Sequence, residues 1–339
     1  MNHSSGHPLN RPLPEVFALR AALRRAVRDY FDSHGYLEIE TPCLVRTPGT
    51  EVYLNYFETS WESLAGDREV LYLRSSPELH MKQALAAGCR KIYQIGPCFR
   101  NRGEIGPWHH PEFSMLEWYH CGTDYDAFME ETADLLRYCA GALRKSGCDG
   151  LQVPESIPRF TLAKAFHEFA GVELVDMDPG LARRARNAGV VSVRENDDFD
   201  TAFFKILLEK VEPALALHQL AILCDYPASQ AALAVVSGGV AKRFEFFVRG
   251  MELSNAFLEL PGRAANESRI SESSRRRAAA GLPAVPGDPD FLEAMSVSLP
   301  PCAGNALGMD RLLAAITGDS GISNMIPFRR SSVWRRHLP

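Results

Sequence analysis

FRNRGEIGPWHHPEFSMLEWY, residues 99–119, decides how the rest of the chain is read. KIYQIGPCFR runs into it and EFSMLEWYH closes it, two apolar stretches with strand character. Between them lies a polar, glycine-bearing loop from Asn101 to Pro111. Two strands joined by such a loop predict an antiparallel pair with a long connection, the kind of place where functional side chains gather.

Upstream, Val16, Leu19, Leu23, Val27, Tyr30 and Phe31 recur at three and four residues, so a helix is predicted from Glu15, with Gly35 closing it. YLEIETP then reads as a short strand stopped by Pro42. VLYLRSSPELHMKQALAAG predicts a strand, a turn at 75–77 and a helix ending at Gly88. Residues 124–148 and most of 160–219 carry helical spacing, the latter reading as an inserted scaffold. LAILCDYPASQAALA and KRFEFFVRGMELSNAFLEL return to strand character, and residues 262–290 read as a charged surface helix and a turn-rich loop. Arg275, Arg276 and Arg277 are expected on a solvated face, and Asp197, Asp198 and Asp200 in a solvated acidic turn. Residues 1–14 are polar and proline-bearing, and a disordered tail is expected there ahead of a single domain over 15–339.

Bulk properties narrow the class. The chain has 339 residues, of which 46% are hydrophobic, enough for a large core. A net charge of -5 gives no general basic surface for nucleic acid. The eight cysteines form no CxxC pair and read as reduced thiols. Nothing resembles a secretion signal or a membrane span, so a cytoplasmic protein is expected.

The chemistry in the opening stretch fits activation of a carboxylate by ATP. Two anions must meet while charge builds at phosphorus, so fixed arginine forks, a carboxylate-held Mg²⁺ and an aromatic face for adenine are needed. Each part is present, in three ordered blocks: YFDSHGYLEIETPCL (30–44), FRNRGEIGPWHHPEF (99–113) and GNALGMDRLLAAITG (304–318). These resemble the three motifs of class II aminoacyl-tRNA synthetases. That implies an α+β catalytic domain, an antiparallel β-sheet flanked by helices, and a homodimer built on the first motif.

SPELHMK (76–82), HHPEFSMLEWY and RFEFFVRGMELSNAFLEL (243–260) resemble the lysyl branch. The resemblance spans about residues 15–328. Lysyl-tRNA synthetases carry an anticodon-binding barrel before the first motif, and with residues 1–14 ahead of it here no such barrel is expected. Together with PASQAALA (227–234), the layout is similar to the lysyl-tRNA synthetase paralogues that modify translation elongation factor P. That family implies activation of (R)-β-lysine or lysine as an aminoacyl adenylate, with transfer to the ε-amino group of a lysine of the factor.

The resemblance carries roles onto residues. Arg100 would bridge substrate carboxylate and α-phosphate. Phe113 would stack on adenine, with Arg311 on its other face. Glu104 would accept from the adenine amino group and His109 would contact the phosphate tail. Glu245 and Glu252 would hold Mg²⁺. Ser76, Glu78, Tyr119, Asn255 and Glu259 would line the amino-acid pocket, and the Ala306 methyl would tune the choice between isomers, an effect worth roughly 1–3 kcal/mol.

The loop has one residue more than the family pattern, so the place of Glu104 and the choice between His109 and His110 stay open. Ala256 and Leu258 replace the family's usual residues and are expected either to narrow the pocket or to shift a backbone approach that glycine allows. Two other readings compete: a truncated synthetase acting on tRNA or a small amine, and a binding subunit without catalysis. Retention of both Arg100 and Arg311 weighs against the second.

Overall fold

A computed structural model describes residues 11–103, 106–297 and 299–328. The elements, in chain order, are α1 (Leu13–Ser33), β1 (Leu37–Glu38), β2 (Leu44–Val45), β3 (Phe57–Glu62), β4 (Arg68–Leu73), α2 (Glu78–Ala86), β5 (Lys91–Phe99) and β6 (Glu112–Cys121). Then come α3 (Tyr125–Arg144), β7 (Arg159–Thr161), α4 (Leu162–Ala170), α5 (Leu181–Asn187), α6 (Phe199–Ile206), α7 (Glu212–Leu215) and β8 (Ala221–Pro227). The chain finishes with β9 (Val236–Ser237), β10 (Val240–Val248), β11 (Met251–Leu258), α8 (Arg263–Ala279), α9 (Pro289–Ala294), β12 (Cys302–Gly308) and α10 (Met309–Thr317). Among the described residues these make a nine-stranded sheet of order β1-β5-β6-β12-β11-β10-β8-β7, with β9 on β10, and a small sheet β2-β4-β3.

The central pairs β5/β6, β6/β12, β12/β11 and β11/β10 are antiparallel, and the edges β1/β5 and β7/β8 are parallel. Alternation along each strand therefore sorts side chains onto two faces. Tyr93, Leu116, Trp118, Phe244, Phe246, Ala256, Ala303 and Leu307 turn to one face, where α1, α3 and α10 cover them in the main core. Fully burying one such large apolar side chain stabilises the fold by roughly 1.5–3 kcal/mol. A second core joins α4, α5, α6 and α7 to the far end of the sheet through Ala221, Leu223, Ala241 and Phe247. Ile92, Tyr119 and Cys302 lie on the opposite face from the main core and meet α2 and α9 in a third, smaller cluster.

Helix α1 starts at Leu13, two residues ahead of the expected start, because Pro14 suits the first turn. Residues 1–10 of the expected tail lie outside the described residues. The strand expected in YLEIETP shortens to Leu37–Glu38.

Two charged surfaces are only in part what the sequence suggested, Arg275 and Asp198 being exposed as expected. Arg277 is 3% exposed: its Nη1 donates to the carbonyls of Glu51, Val52 and Leu54 at 2.7–2.9 Å, and its Nη2 to that of Pro283 at 3.1 Å. Arg276 pairs with Asp200, and only Arg275 is left on the solvated face with Glu272. The acidic turn is likewise engaged. Asp198 caps α6 by accepting from the Thr201 amide at 2.8 Å, Asp197 pairs with Lys205 at 2.6 Å, and Asp200 accepts from Gln230 at 2.7 Å. For Arg276 and Arg277 the partners Asp200 and Glu51 lie more than 70 residues away, where periodicity cannot see them.

Arg277→Met removes the buried guanidinium that serves three main-chain carbonyls and is expected to lower the unfolding free energy by roughly 3 kcal/mol. Urea denaturation measures it, and a change within about 0.5 kcal/mol, typical of an exposed position, would return this residue to the solvated face.

Candidate functional site

The register of the sheet places the site. Gln94, Glu117, Ala306, Asn255 and Glu245 form one rung across β5, β6, β12, β11 and β10. Ile92, Tyr119, Gly304, Phe257 and Arg243 form the rung two residues along, on the same face. Residues far apart in sequence become neighbours through strand pairing alone.

At the β5/β6 end, α2 brings its own charges over this face. Lys82 is 2% exposed, and its Nζ meets Glu78 at 2.6 Å and Glu259 at 2.5 Å. Burial opposes the lysine's charge, yet Glu259 and Glu78 hold its pKa above the usual lysine range. Glu117 accepts from the Tyr119 hydroxyl at 2.6 Å and from the Ser76 hydroxyl at 2.8 Å. Burial, reinforced by the charge of Glu78, pushes the Glu117 carboxyl up to about 8. Burial likewise lifts Glu259 to about 7, against the pull of Lys82. Two carboxylates thus share one ammonium and the third has only hydroxyl partners, so a fully ionised pocket keeps two negative charges uncompensated. Gly304 makes room there, because a Cβ would collide with the Tyr119 ring and the Glu259 carboxylate.

A second cluster gathers where β5 and β6 open into the loop. The Arg100 amide donates to the Pro111 carbonyl at 2.9 Å, closing the hairpin, and the Arg100 guanidinium lies 5.2 Å from the centre of the Phe113 ring. Arg100 Nε and Asn255 Oδ1 are buried without a hydrogen-bond partner among the described residues. Such atoms are costly unless a ligand uses them.

Arg311 enters from the first turn of α10. It donates to the Glu252 carbonyl at 2.7 Å and the Trp108 carbonyl at 3.3 Å, and it contacts His109 Nε2 at 3.1 Å. The neighbouring Asp310 fixes this helix start, accepting from the Ser114 amide at 2.7 Å and pairing with Arg20 of α1. His110 turns back to the Glu112 main chain through Nδ1 at 2.6 Å. The geometry therefore groups His109, rather than His110, with Arg311. Glu104 lies outside the described residues.

On β10, Glu245 is 5% exposed and receives Arg243 Nη2 at 2.5 Å. Burial pushes its carboxyl above the usual range, against Arg243, and the charge of Glu252 adds to the shift. The two carboxylates feel each other, yet among the described residues no group of three or more His, Cys, Asp or Glu side chains assembles for a metal ion. A pair of carboxylates suits a cation such as Mg²⁺ that takes its remaining ligands from phosphates and water.

Ala256 and Leu258 do not narrow the pocket. Ala256 is wholly buried in the main core on the opposite face, and Leu258 packs against that same core. They follow Asn255 and Phe257 by one residue each, and a step of one crosses the sheet. Ala306 stays on the pocket rung. The sequence reading also missed residues that matter here. Glu117 could have been found, since it precedes Tyr119 by two positions in a strand. Lys82 lies four residues after Glu78, one helical turn. Arg243 precedes Glu245 by two.

With this geometry in place, the comparison with known proteins is direct. The family of class II tRNA synthetases (D, K and N) matches residues 8–332, and the chain belongs to it. Among characterised relatives, the "Elongation factor P--(R)-beta-lysine ligase" of Hamiltonella defensa subsp. Acyrthosiphon pisum is 35% identical over 315 residues, covering 91% of this chain and 93% of the relative. Proteins of the same name from Salmonella gallinarum and Salmonella typhimurium are each 36% identical over 317 residues, with the same two coverages. The fold is thus that of the class II synthetase domain, a largely antiparallel sheet flanked by helices. Among the described residues no helix is long and apolar enough to cross a membrane.

Lys82→Met leaves Glu78 and Glu259 without their ammonium and is expected to cost roughly 3–5 kcal/mol of stability at pH 8. The unpaired carboxylates then have raised pKa values, so they take up protons as pH falls and the deficit shrinks toward pH 5. Denaturation at the two pH values checks both statements; a deficit that is independent of pH would contradict the charge account.

Proposed function

We propose that this protein is an ATP-dependent ligase that activates (R)-β-lysine, or lysine, as an aminoacyl adenylate and passes it to the ε-amino group of a lysine of translation elongation factor P. The observation that carries the reading is the pocket of Glu78, Glu117 and Glu259 around Lys82. Fully ionised, it carries two negative charges beyond those Lys82 offsets, which match the two ammonium groups of a diamino acid as they arrive, and a monoamino acid matches only one of them. The names of the relatives supply the acceptor.

In this scheme the substrate carboxylate attacks the α-phosphorus of ATP and pyrophosphate leaves. The free edge of Arg100 binds the carboxylate and the α-phosphate, and holds both in line. Phe113 carries the adenine ring, and Arg311 with His109 receives the outer phosphates. Glu245 and Glu252 would hold Mg²⁺, which neutralises the polyphosphate when bound. The acceptor amine then attacks the activated carbonyl and AMP departs, leaving an amide. Ser76, Tyr119 and Asn255 orient the amino acid, and the Ala306 methyl beside Glu117 shapes the choice between isomers. We place the protein in the cytoplasm, acting as a homodimer.

Intact mass of the organism's elongation factor P, incubated with enzyme, Mg-ATP and either amino acid, tests the proposal. A gain of one lysyl unit, faster with (R)-β-lysine and absent with Arg100→Ala, is expected; no gain with either amino acid would overturn it. Amino-acid affinity should also rise from pH 6 to pH 8. An arriving ammonium favours ionised Glu117, whose free-state pKa stands at about 8, so binding below that pH expels a proton. Titration calorimetry in buffers of different ionisation enthalpy detects that proton, and proton-neutral binding at pH 7 would exclude it.

A further inference from the structure

The row of side chains that forms the amino-acid pocket continues one step past Tyr119 and Gly304. There Cys121 of β6 faces Cys302 of β12 in direct register. The main-chain bonds show which kind of pair this is. The Cys121 amide donates outward to the Arg90 carbonyl at 2.8 Å, and the Cys302 carbonyl accepts from the Glu259 amide at 2.9 Å, on the other side. The next pair along, Gly122 and Pro301, carries the cross-strand bond at 2.7 Å. Cys121 and Cys302 are therefore a non-hydrogen-bonded pair, the antiparallel position where side chains approach most closely, with Cα atoms about 4.5 Å apart. That separation falls within the range a disulfide spans.

We propose that Cys121 and Cys302 form a reversible disulfide that weakens amino-acid binding in this enzyme, the oxidant being a hydroperoxide. The part concerning amino-acid binding rests on the function proposed above; the disulfide itself does not. Cys121 is the attacking group, because it is half-buried whereas Cys302 is 3% exposed. The Cys302 thiol beside it, with help from Arg90, holds the Cys121 pKa below the usual thiol value. The Cys121 thiolate takes the outer oxygen of the peroxide, the O–O bond breaks, and a sulfenic acid forms with release of water or an alcohol. The Cys302 sulfur then attacks the Cys121 sulfur, its proton leaves with the displaced hydroxyl as water, and the S–S bond closes. Two thiols lose two electrons and one peroxide gains them. A thiol reductant reverses the step by exchange.

The pocket cannot ignore this bond. Cys302 is bonded through its carbonyl to the backbone of Glu259, and Cys121 is two residues from Tyr119. Between them Gly304 has no free space against the Tyr119 ring or the Glu259 carboxylate. Tightening β6 onto β12 at this rung moves the Tyr119 hydroxyl and the Glu259 carboxylate against each other. Both belong to the network that receives the substrate's amino groups.

The test treats the full-length enzyme with hydrogen peroxide, then maps peptides under non-reducing conditions and measures amino-acid-dependent pyrophosphate exchange. A cross-linked peptide joining residues 121 and 302 is expected. The KM for the amino acid should rise about tenfold, the factor carried by one hydrogen bond to a charged group, while the KM for ATP stays unchanged. Dithiothreitol should restore both. Cys121→Ser and, separately, Cys302→Ser should retain the reduced enzyme's kinetics and lose the response. Absence of the cross-link, or a cross-link through Cys89 instead, would overturn the proposal, and a cross-link with unchanged amino-acid KM would overturn its effect on binding. An enzyme inactive with every amino acid before oxidation would refute the proposed function, while the peptide map would still decide the disulfide.

Discussion

Strand pairing with a period of two is the constraint on which this molecule depends. The pocket carboxylates and hydroxyl on β6 and β10 are positioned because their neighbours one residue away are committed to the main core. Trp118 and Leu116 are wholly buried there, which obliges Glu117 and Tyr119 to face the other way. Phe244 and Phe246 do the same for Glu245. The polar face thus has its geometry enforced by apolar burial worth far more than any single contact on the site. Buried charge is tolerated on that face because it is grouped. Lys82 answers two carboxylates, Arg243 answers Glu245, and hydroxyls of Ser76 and Tyr119 serve Glu117.

Much of this was legible in the sequence, and the reason is local. Helix α1, helix α2 and the pair β5/β6 are set by spacings within about twenty residues, and glycines 35 and 88 close their helices with positive φ as expected. The three motif blocks, read together, pointed to Arg100, Phe113, His109 and Arg311, and the structure gathers them around one loop. What escaped was of another kind. Ala256 and Leu258 were assigned to the wrong face because one residue along a strand reverses orientation. Arg276, Arg277 and Asp200 were read as solvated because their partners are supplied by remote segments. Charge density in a sequence says little about burial when guanidinium groups can bond to main-chain carbonyls.

The helical segment α4 to α7 has a core of its own, yet it is not isolated from the site. Asp200 on α6 accepts from Gln230, whose carbonyl accepts from Arg243, whose guanidinium holds Glu245. Charge and hydrogen bonding therefore run without a gap from the outer helices to the carboxylate beside Asn255. The helices fix where Arg243 points, and Arg243 fixes where Glu245 points.

Arg277 does for the segment 51–54 what a neighbouring strand does for a sheet. Its guanidinium supplies the donors that three carbonyls of this one stretch would otherwise seek from water. The segment thereby inherits the stiffness of α8, although it has no regular structure itself. Beside it, Gly49 lies tight against Glu51 and Ser75, and Ser75 precedes the pocket residue Ser76. The segment is in effect splinted: an irregular stretch held in shape by a rigid rod to which it is pinned, so that its course is dictated by a helix more than 200 residues further along the chain.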